Sequence, residues 1–328
     1  MEFLFLDVLG KPAWMWAVFL GVVLTLVVFD LGLLHRRPRE IGIAESLTLS
    51  ACYIALALGF GAWVWWELGR QAGAEYLTGF LIEKSLAMDN VFVIAMIFGY
   101  FGIPRIHQHR ALLYGILGVL VLRGIMIGAG VALVSNFEWV LYLFAAFLIF
   151  TGIRMMAVPE HSYDVSANPV LKFLRRHLRV SEEHHGHAFF VRKMDSATGR
   201  SLIFATPLFL ALVMIEFADV VFAVDSIPAI FAITTDPYIV YTSNIFAVLG
   251  LRALYFALAA MIHRFVYLRY ALASILVFVG AKVFAADLVG VDKLPPALSL
   301  TVTVLLLATG IGASLWKTRQ DAAHADRP

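Results

Sequence analysis

The chain has 328 residues, of which 61% are hydrophobic and 15% are charged, and its formal net charge is +2. Because a soluble globular domain usually carries about 25% charged residues, this composition excludes an ordinary water-soluble enzyme and predicts a protein solvated by lipid. The single cysteine, Cys52, also excludes an internal disulfide and a cofactor held by several thiolates.

Nine apolar runs follow one another along the chain, and each is long enough to cross a bilayer, which requires about 20 mostly apolar residues in a helix. No basic region precedes the first run, so we expect it to be retained as a span and not removed as a signal peptide. The runs are too long for barrel strands, and helices satisfy their own backbone polar groups. The sequence predicts an all-α polytopic membrane protein with one transmembrane domain, 1–328, and spans near 13–34, 44–66, 75–100, 110–134, 138–157, 205–232, 239–262, 266–287 and 296–316.

The loops between the predicted spans differ strongly in positive charge. One alternate set contains 17 Lys and Arg residues, whereas the opposite set contains three, Lys11, Arg70 and Lys293. Loops rich in Lys and Arg stay in the cytosol. The pattern therefore predicts an N-terminus outside the cell, a cytosolic loop at 158–200, and a last segment, 296–328, that ends in a cytosolic tail.

Two segments of the chain, 75–157 and 201–287, resemble each other when the third to fifth spans are aligned with the sixth to eighth. Because each copy contains three spans, an odd number, the copies cross the membrane in opposite senses. Such inverted repeats occur in secondary transporters, whose binding sites lie near the bilayer midplane where the copies meet. The aligned pairs are Glu83 with Asp219, Asp89 with Asp225, Asn90 with Ser226, Ala145 with Ala273, and Gly152 with Gly280.

Acidic side chains occur deep within the predicted spans, although a charge at the bilayer centre costs at least about 2.5–3.5 kcal/mol. Acids outnumber bases there by five to three, so pairing leaves two carboxylates that require a bound cation or a proton. The five acids are Glu83, Asp89, Glu216, Asp219 and Asp225, and the three bases, their expected charge partners, are Lys84, Arg123 and Arg252.

Helical periodicity places some of these groups on a common face. At 100° per residue, one face carries Glu83 and Asn90, and another carries Glu216, Asp219 and Ser226. Asp89 and Asp225 lie about 100–120° away from these faces. Because Pro228 removes a helix hydrogen bond, we expect a local break that turns Asp225 inward and frees a backbone carbonyl.

The types of donor atom indicate the class of metal ion. Carboxylate, amide, hydroxyl and carbonyl oxygens suit Mg²⁺, Ca²⁺ and Mn²⁺, whereas sets of Cys and His suit Zn²⁺ and Cu⁺. The predicted metal ligands are Glu83, Asp89, Asn90, Glu216, Asp219, Asp225 and Ser226. The alternative is an internal salt-bridge network without a metal, in which Glu83 or Asp89 pairs with Arg123 and Asp225 pairs with Arg252.

The predicted cytosolic loop contains a short histidine tract, His184, His185 and His187, which would collect or sense metal ions outside the transport path. The alternative is a solvated loop with a chance cluster of histidines. The basic residues are few and lie next to the membrane, so nucleic acid is not an expected partner. No catalytic or nucleotide-binding motif is present, so we expect neither an enzyme nor an organic cofactor.

Two acidic segments, 83–93 and 216–234, resemble the motifs of the TerC family, including its Alx branch. The resemblance extends over most of the chain, and 187–210 shares it. It implies a bacterial inner-membrane protein related to the LysE superfamily of exporters, with Mn²⁺ as the transported ion and a family name linked to tellurium resistance. It also implies a metal-binding role for the seven ligand positions given above.

Two other functions stay open at this point. The chain could be a non-transporting membrane scaffold or assembly factor in tellurite resistance, since its cytosolic loop is long. It could also export another cation, such as Ca²⁺, or an organic solute. The lipid bilayer and a divalent cation are the expected partners, and the sequence makes no prediction about the oligomeric state.

Overall fold

The computed structural model describes residues 5–32, 42–157, 165–181, 183, 185–194, 201–258, 267–289 and 295–325; within these, the side chains of 30–32, Asp89, Arg252, Leu258, Arg319 and 321–325 lie outside the description. The helices are α1 (Ala13–Gly32), α2 (Ile43–Tyr100), α3 (Arg105–Asn136), α4 (Val140–Ala157), α5 (Pro169–His177), α6 (Pro207–Phe231), α7 (Pro237–Leu249), α8 (Leu251–Leu258), α9 (Leu268–Val289) and α10 (Pro296–Ala325). Two small antiparallel hairpins pair β1 (Asp7–Val8) with β2 (Lys11–Pro12) and β3 (Phe190–Met194) with β4 (Ser201–Ala205).

The prediction of an all-α membrane protein is confirmed. Six of the described helices, α2, α3, α4, α6, α9 and α10, are long and apolar enough to cross a membrane, and α1 and α7 contain shorter apolar helices. Large apolar side chains point away from the bundle, such as Val121, Ile125 and Phe150, each more than 60% exposed. An outer surface of this kind is suited to lipid and not to water. The count of nine spans stays a prediction.

Helix α2 is a helical hairpin and not a single rod. Its backbone leaves the helical region at Gly69, where φ is +88°, a conformation that favours glycine. The chain reverses there, since the Tyr76 hydroxyl donates to the carbonyl of Ala57 at 3.0 Å. The two arms, 43–68 and 70–100, correspond to the predicted second and third spans.

Two predicted helical features differ from the structure. Helix α6 is continuous through Pro228, so the expected break before this proline was wrong. The predicted seventh span, in contrast, is interrupted between α7 and α8 at Gly250. The Lys84 ammonium donates to the carbonyl of Ala247 at 3.1 Å, and in a continuous helix this carbonyl would accept from the amide of Leu251.

Helices α4 and α9 pack closely, and their contacts are reciprocal. A Cβ placed on Gly152 would lie 2.7 Å from the backbone oxygen of Ala273, and one on Gly280 would lie 2.5 Å from that of Ala145. The predicted repeat aligns Gly152 with Gly280 and Ala145 with Ala273, so each glycine contacts the alanine of the other copy. Reciprocal contacts of this kind are expected for two equivalent helices about a twofold axis.

Replacing Gly280 by alanine is expected to lower the free energy of unfolding by about 1–3 kcal/mol, because the added methyl group must push two helix backbones apart. The shift can be measured by titrating the purified protein with SDS and following helix content. Gly99→Ala is the matched control, because a Cβ at Gly99 contacts nothing within 4 Å. Equal stability of the two variants would contradict the close approach of α4 and α9.

Candidate functional site

The centre of the candidate site is Arg123, which lies in the middle of α3 and is only 1% exposed. Its guanidinium binds Asp219 of α6 through two bonds, Nε to Oδ2 at 3.2 Å and Nη2 to Oδ1 at 2.9 Å. Its Nη1 donates to Oε1 of Glu83, in the second arm of α2. A two-bond arginine–carboxylate pair is both strong and geometrically specific, so Arg123 joins three helices at one point.

The two carboxylates at Arg123 occupy equivalent positions of the predicted repeat. The side chains of Glu83 and Asp219 are 3% and 7% exposed, respectively. Two ionised carboxylates and one guanidinium leave a net charge of −1, and an uncompensated charge buried away from water is costly. The cluster therefore attracts a further positive charge.

An uncharged amide and an uncharged hydroxyl complete the cluster. Asn244 of α7, fully buried, donates from Nδ2 to Glu83 Oε2 at 3.0 Å, and its Oδ1 accepts from Arg123 Nη1 at 3.2 Å. The hydroxyl of Ser226 accepts more weakly from the same nitrogen, at 3.5 Å. The sequence argument missed Asn244 because it searched the spans for charged residues, whereas a buried amide in an apolar run was the available signal.

A third carboxylate, Glu216, lies one turn before Asp219 on the same face of α6. It packs over α3 where Gly115 and Gly118 have no side chain, and a Cβ on Gly118 would overlap the carboxylate. Glu216 Oε2 is buried and has no hydrogen-bond partner among the described residues. A carboxylate in this setting is stabilised by a proton or a bound cation.

A small cavity of about 30 Å³ lies beside these groups, and Asn90, Gly115 and Asp219 contribute to its wall. About 10–15 Å³ of such volume holds one water molecule, so the cavity can hold one or two. The rest of the wall is apolar, formed by Ile94, Leu112, Ile116, Val119, Ile215, Ala218, Phe222 and Leu251. The cavity thus gives limited room for a small ion between α2, α3 and α6.

Asp225 and Lys84 make their contacts outside this cluster. Asp225 accepts from the Thr151 hydroxyl of α4 at 3.4 Å, because it lies on a different face of α6 from Asp219. Lys84 donates to the carbonyl of Ala247 near the end of α7, where a positive charge complements the helix dipole. The side chains of Asp89 and Arg252 lie outside the described residues.

Within the described residues, no three or more His, Cys, Asp or Glu side chains are close enough to hold a metal ion together. Among the predicted ligands whose side chains are described, Asp225 contacts α4 while Asp219 contacts α3, so this conformation does not gather them all around one point. Glu83 instead pairs with Arg123, as in one part of the alternative derived from the sequence, and Asp219 joins the same network. The pairing of Asp225 with Arg252 in that alternative stays a prediction, because the Arg252 side chain is outside the described residues.

The described histidines of the tract 184–187 contact different neighbours and not each other. His185 lies 3.0 Å from the Ser181 hydroxyl and 3.8 Å from Glu183, and His187 lies against His107 at the start of α3. His184 lies outside the described residues.

A polar pocket of about 510 Å³ opens at the end of the bundle where the α2 hairpin turns. It brings together the first hairpin, the turn around Gln71 and Glu75, and the start of α7. Lys11 and Asp236 form an ion pair across it at 2.8 Å. Loops predicted to face the same side of the membrane thus lie at the same end of the bundle.

Comparisons with known proteins agree with the resemblance in the acidic motifs. The model of the integral membrane protein TerC family matches residues 68–322. An uncharacterized membrane protein of Myxococcus xanthus is 45% identical over 320 residues, which cover 97% of each chain. The Alx protein of Salmonella typhi, described as a proposed membrane-bound redox modulator, is 45% identical over 324 residues, covering 96% of this chain and 98% of its own. No solved structure matches the chain significantly.

Proposed function

Because the chain belongs to the TerC family of integral membrane proteins, we propose that it carries Mn²⁺ out of the bacterial cytosol across the inner membrane, and that it is a transporter and not an enzyme. The observation that supports this proposal best is the contact of Arg123 with Glu83 and Asp219, which are equivalent positions of the two predicted repeats. The Arg123 guanidinium is a buried positive charge between these carboxylates, at the position where the proposal places the transported divalent cation.

In this proposal, Arg123 and the transported ion compete for the same carboxylates. When Arg123 holds Glu83 and Asp219, the site is closed and the guanidinium offsets one of the two carboxylate charges. When the guanidinium withdraws, two carboxylates, the Asn244 amide and the Ser226 hydroxyl present oxygen atoms of the type that Mn²⁺ binds. Such an exchange lets the ion leave, because the arginine offers the carboxylates an alternative partner.

Two further acids account for the surplus of negative charge predicted from the sequence. Glu216 has a buried oxygen without a partner among the described residues, and Asp225 has a hydroxyl as its partner. Glu216 lies near the cavity beside Asp219. In the proposal it binds the ion, or a coupled proton, after the ion leaves Glu83 and Asp219. Asp225 and Asp89 are aligned in the two copies. In the proposal they bind the ion on its way to or from the cluster at Arg123.

The proposal includes nine spans, an inverted repeat and a cytosolic C-terminus. The reciprocal contacts of Gly152 and Gly280 support the repeat, since equivalent helices meet as a twofold axis requires. The hairpin of α2 supports separate second and third spans. The preference for Mn²⁺ and the outward direction rest on the resemblance to the TerC family, as does the link to tellurium resistance.

The competing hypotheses are a membrane scaffold and the redox modulation in the description of the Alx relatives. The single cysteine cannot form an internal dithiol, so no thiol pair within the chain supports redox chemistry. Export of another cation, such as Ca²⁺, would use the same oxygen ligands, whereas export of an organic solute would require a larger cavity than the one of about 30 Å³ beside them.

Flux into liposomes tests the proposed function. We expect the purified chain, reconstituted into liposomes containing a dye quenched by Mn²⁺, to admit Mn²⁺ faster than protein-free liposomes. Ca²⁺ added outside should compete only weakly. Flux equal to that of protein-free liposomes would favour the scaffold, and strong competition by Ca²⁺ would assign the site to that ion.

A further inference from the structure

His107 and His187 are brought together from distant parts of the sequence, at the end of the bundle opposite the polar pocket. Their Nδ1 atoms lie 3.2 Å apart, their ring centroids are 4.4 Å apart, and the ring planes are nearly perpendicular, at 88°. Both side chains are half-buried, so ions from the adjoining solution can reach them. The two nitrogen atoms therefore face each other at an accessible position.

The distance between the two nitrogens matches the spacing of two ligands on one metal ion. Zn²⁺ binds histidine nitrogen at about 2.0–2.1 Å with tetrahedral geometry, which places two such nitrogens about 3.3–3.4 Å apart. Imidazole nitrogen suits Zn²⁺, Cu²⁺ and Ni²⁺ better than Mn²⁺ or Ca²⁺. The pair thus differs in metal class from the oxygen-lined site at Arg123.

Several contacts fix the position of His187. Gly186 adopts a φ of +57°, which permits the tight turn before it. The carbonyls of Ala188 and Phe189 accept hydrogen bonds from the Thr206 hydroxyl at 2.8 and 3.1 Å, and Thr206 is the N-cap of α6. The two residues that follow His187 are thereby tied to the N-cap of α6.

His107 is held in place by the first turn of α3. It lies in the first turn of α3, where its amide donates to the carbonyl of Pro104 at 2.9 Å. In the next turn, the Arg110 guanidinium lies over the ring of Phe189, 5.3 Å from its centroid. The pair therefore connects the start of α3, the helix of Arg123, with the cap of α6, the helix of Asp219.

We propose that His107 and His187 form a binding site for a borderline transition-metal ion such as Zn²⁺, completed by water, which clamps the start of α3 to the cap of α6. The site faces the cytosol in the predicted orientation. It does not depend on Mn²⁺ transport, because its ligands are nitrogen atoms and its occupation can be measured without flux.

Equilibrium dialysis of the full chain in detergent against Zn²⁺ alone, after removal of any affinity tag, tests the site. We expect the wild type to bind one more Zn²⁺ per chain than His107→Gln or His187→Gln. His177→Ala is the control, because His177 is an exposed histidine at the end of α5 and should not affect the count. Equal Zn²⁺ binding by the wild type and both glutamine variants would overturn the proposal.

X-ray absorption at the zinc edge provides a second measurement that needs no variant. Scattering from two imidazole rings is expected for the bound ion. A coordination shell made only of oxygen atoms would overturn the assignment, even if the stoichiometry were one.

Discussion

Replacing Arg123 by alanine is expected to lower the free energy of unfolding by about 3–5 kcal/mol, the usual effect of removing one partner from a buried ion pair. The variant leaves Glu83 and Asp219 without their guanidinium, although both side chains are less than a tenth exposed. The amide of Asn244 cannot neutralise them. The loss can be measured by SDS titration of the purified protein.

Two other arginine variants separate charge from geometry. Arg123→Lys keeps the charge but cannot make the two-bond contact with Asp219, so its loss should lie between those of the wild type and Arg123→Ala. Arg70→Ala removes an exposed arginine next to the turn of α2 and should change stability by less than about 0.5 kcal/mol. A stability loss in Arg123→Ala no larger than that in Arg70→Ala would show that the buried cluster is not ionised.

The second large effect concerns transport. Glu83→Gln and Asp219→Asn should each slow Mn²⁺ flux by about tenfold or more, because each removes one of the ligand charges that bind the ion. Both amides retain an oxygen that accepts from Arg123, and the remaining carboxylate balances its charge. These variants should therefore fold like the wild type while transport fails.

Glu138→Gln is the control for this experiment, because Glu138 is an exposed carboxylate between α3 and α4. It should transport at the wild-type rate. Undiminished flux in Glu83→Gln and Asp219→Asn would remove these residues from the ion path, whatever the result for the control.

The sequence predicts much of the architecture because lipid imposes a simple rule on composition. Apolar runs of sufficient length must be helical, so the helices lie close to the predicted spans. Helical periodicity likewise predicts that Glu216, Asp219 and Ser226 face one neighbour, and these residues do face α3. The reversal at Gly69 occurs between two predicted spans.

The sequence does not predict which groups become partners, because pairing depends on how four helices are rotated and shifted against one another. Nothing local indicates that one arginine serves both Glu83 and Asp219, or that Asn244 of a distant helix lies between them. The contact of Lys84 with the Ala247 carbonyl beside the break at Gly250 is also made across the bundle. The contact of His107 with His187 also depends on tertiary packing.

The exchange of Arg123 for the transported ion can be tested by Mn²⁺ affinity, measured by equilibrium dialysis of the wild type, Arg123→Ala and Asp219→Asn below their unfolding temperatures. The account predicts shifts of opposite sign: Arg123→Ala should bind Mn²⁺ more tightly, because a competitor is removed, and Asp219→Asn more weakly, because a ligand is removed. Shifts in the same direction, or no change in either variant, would contradict it.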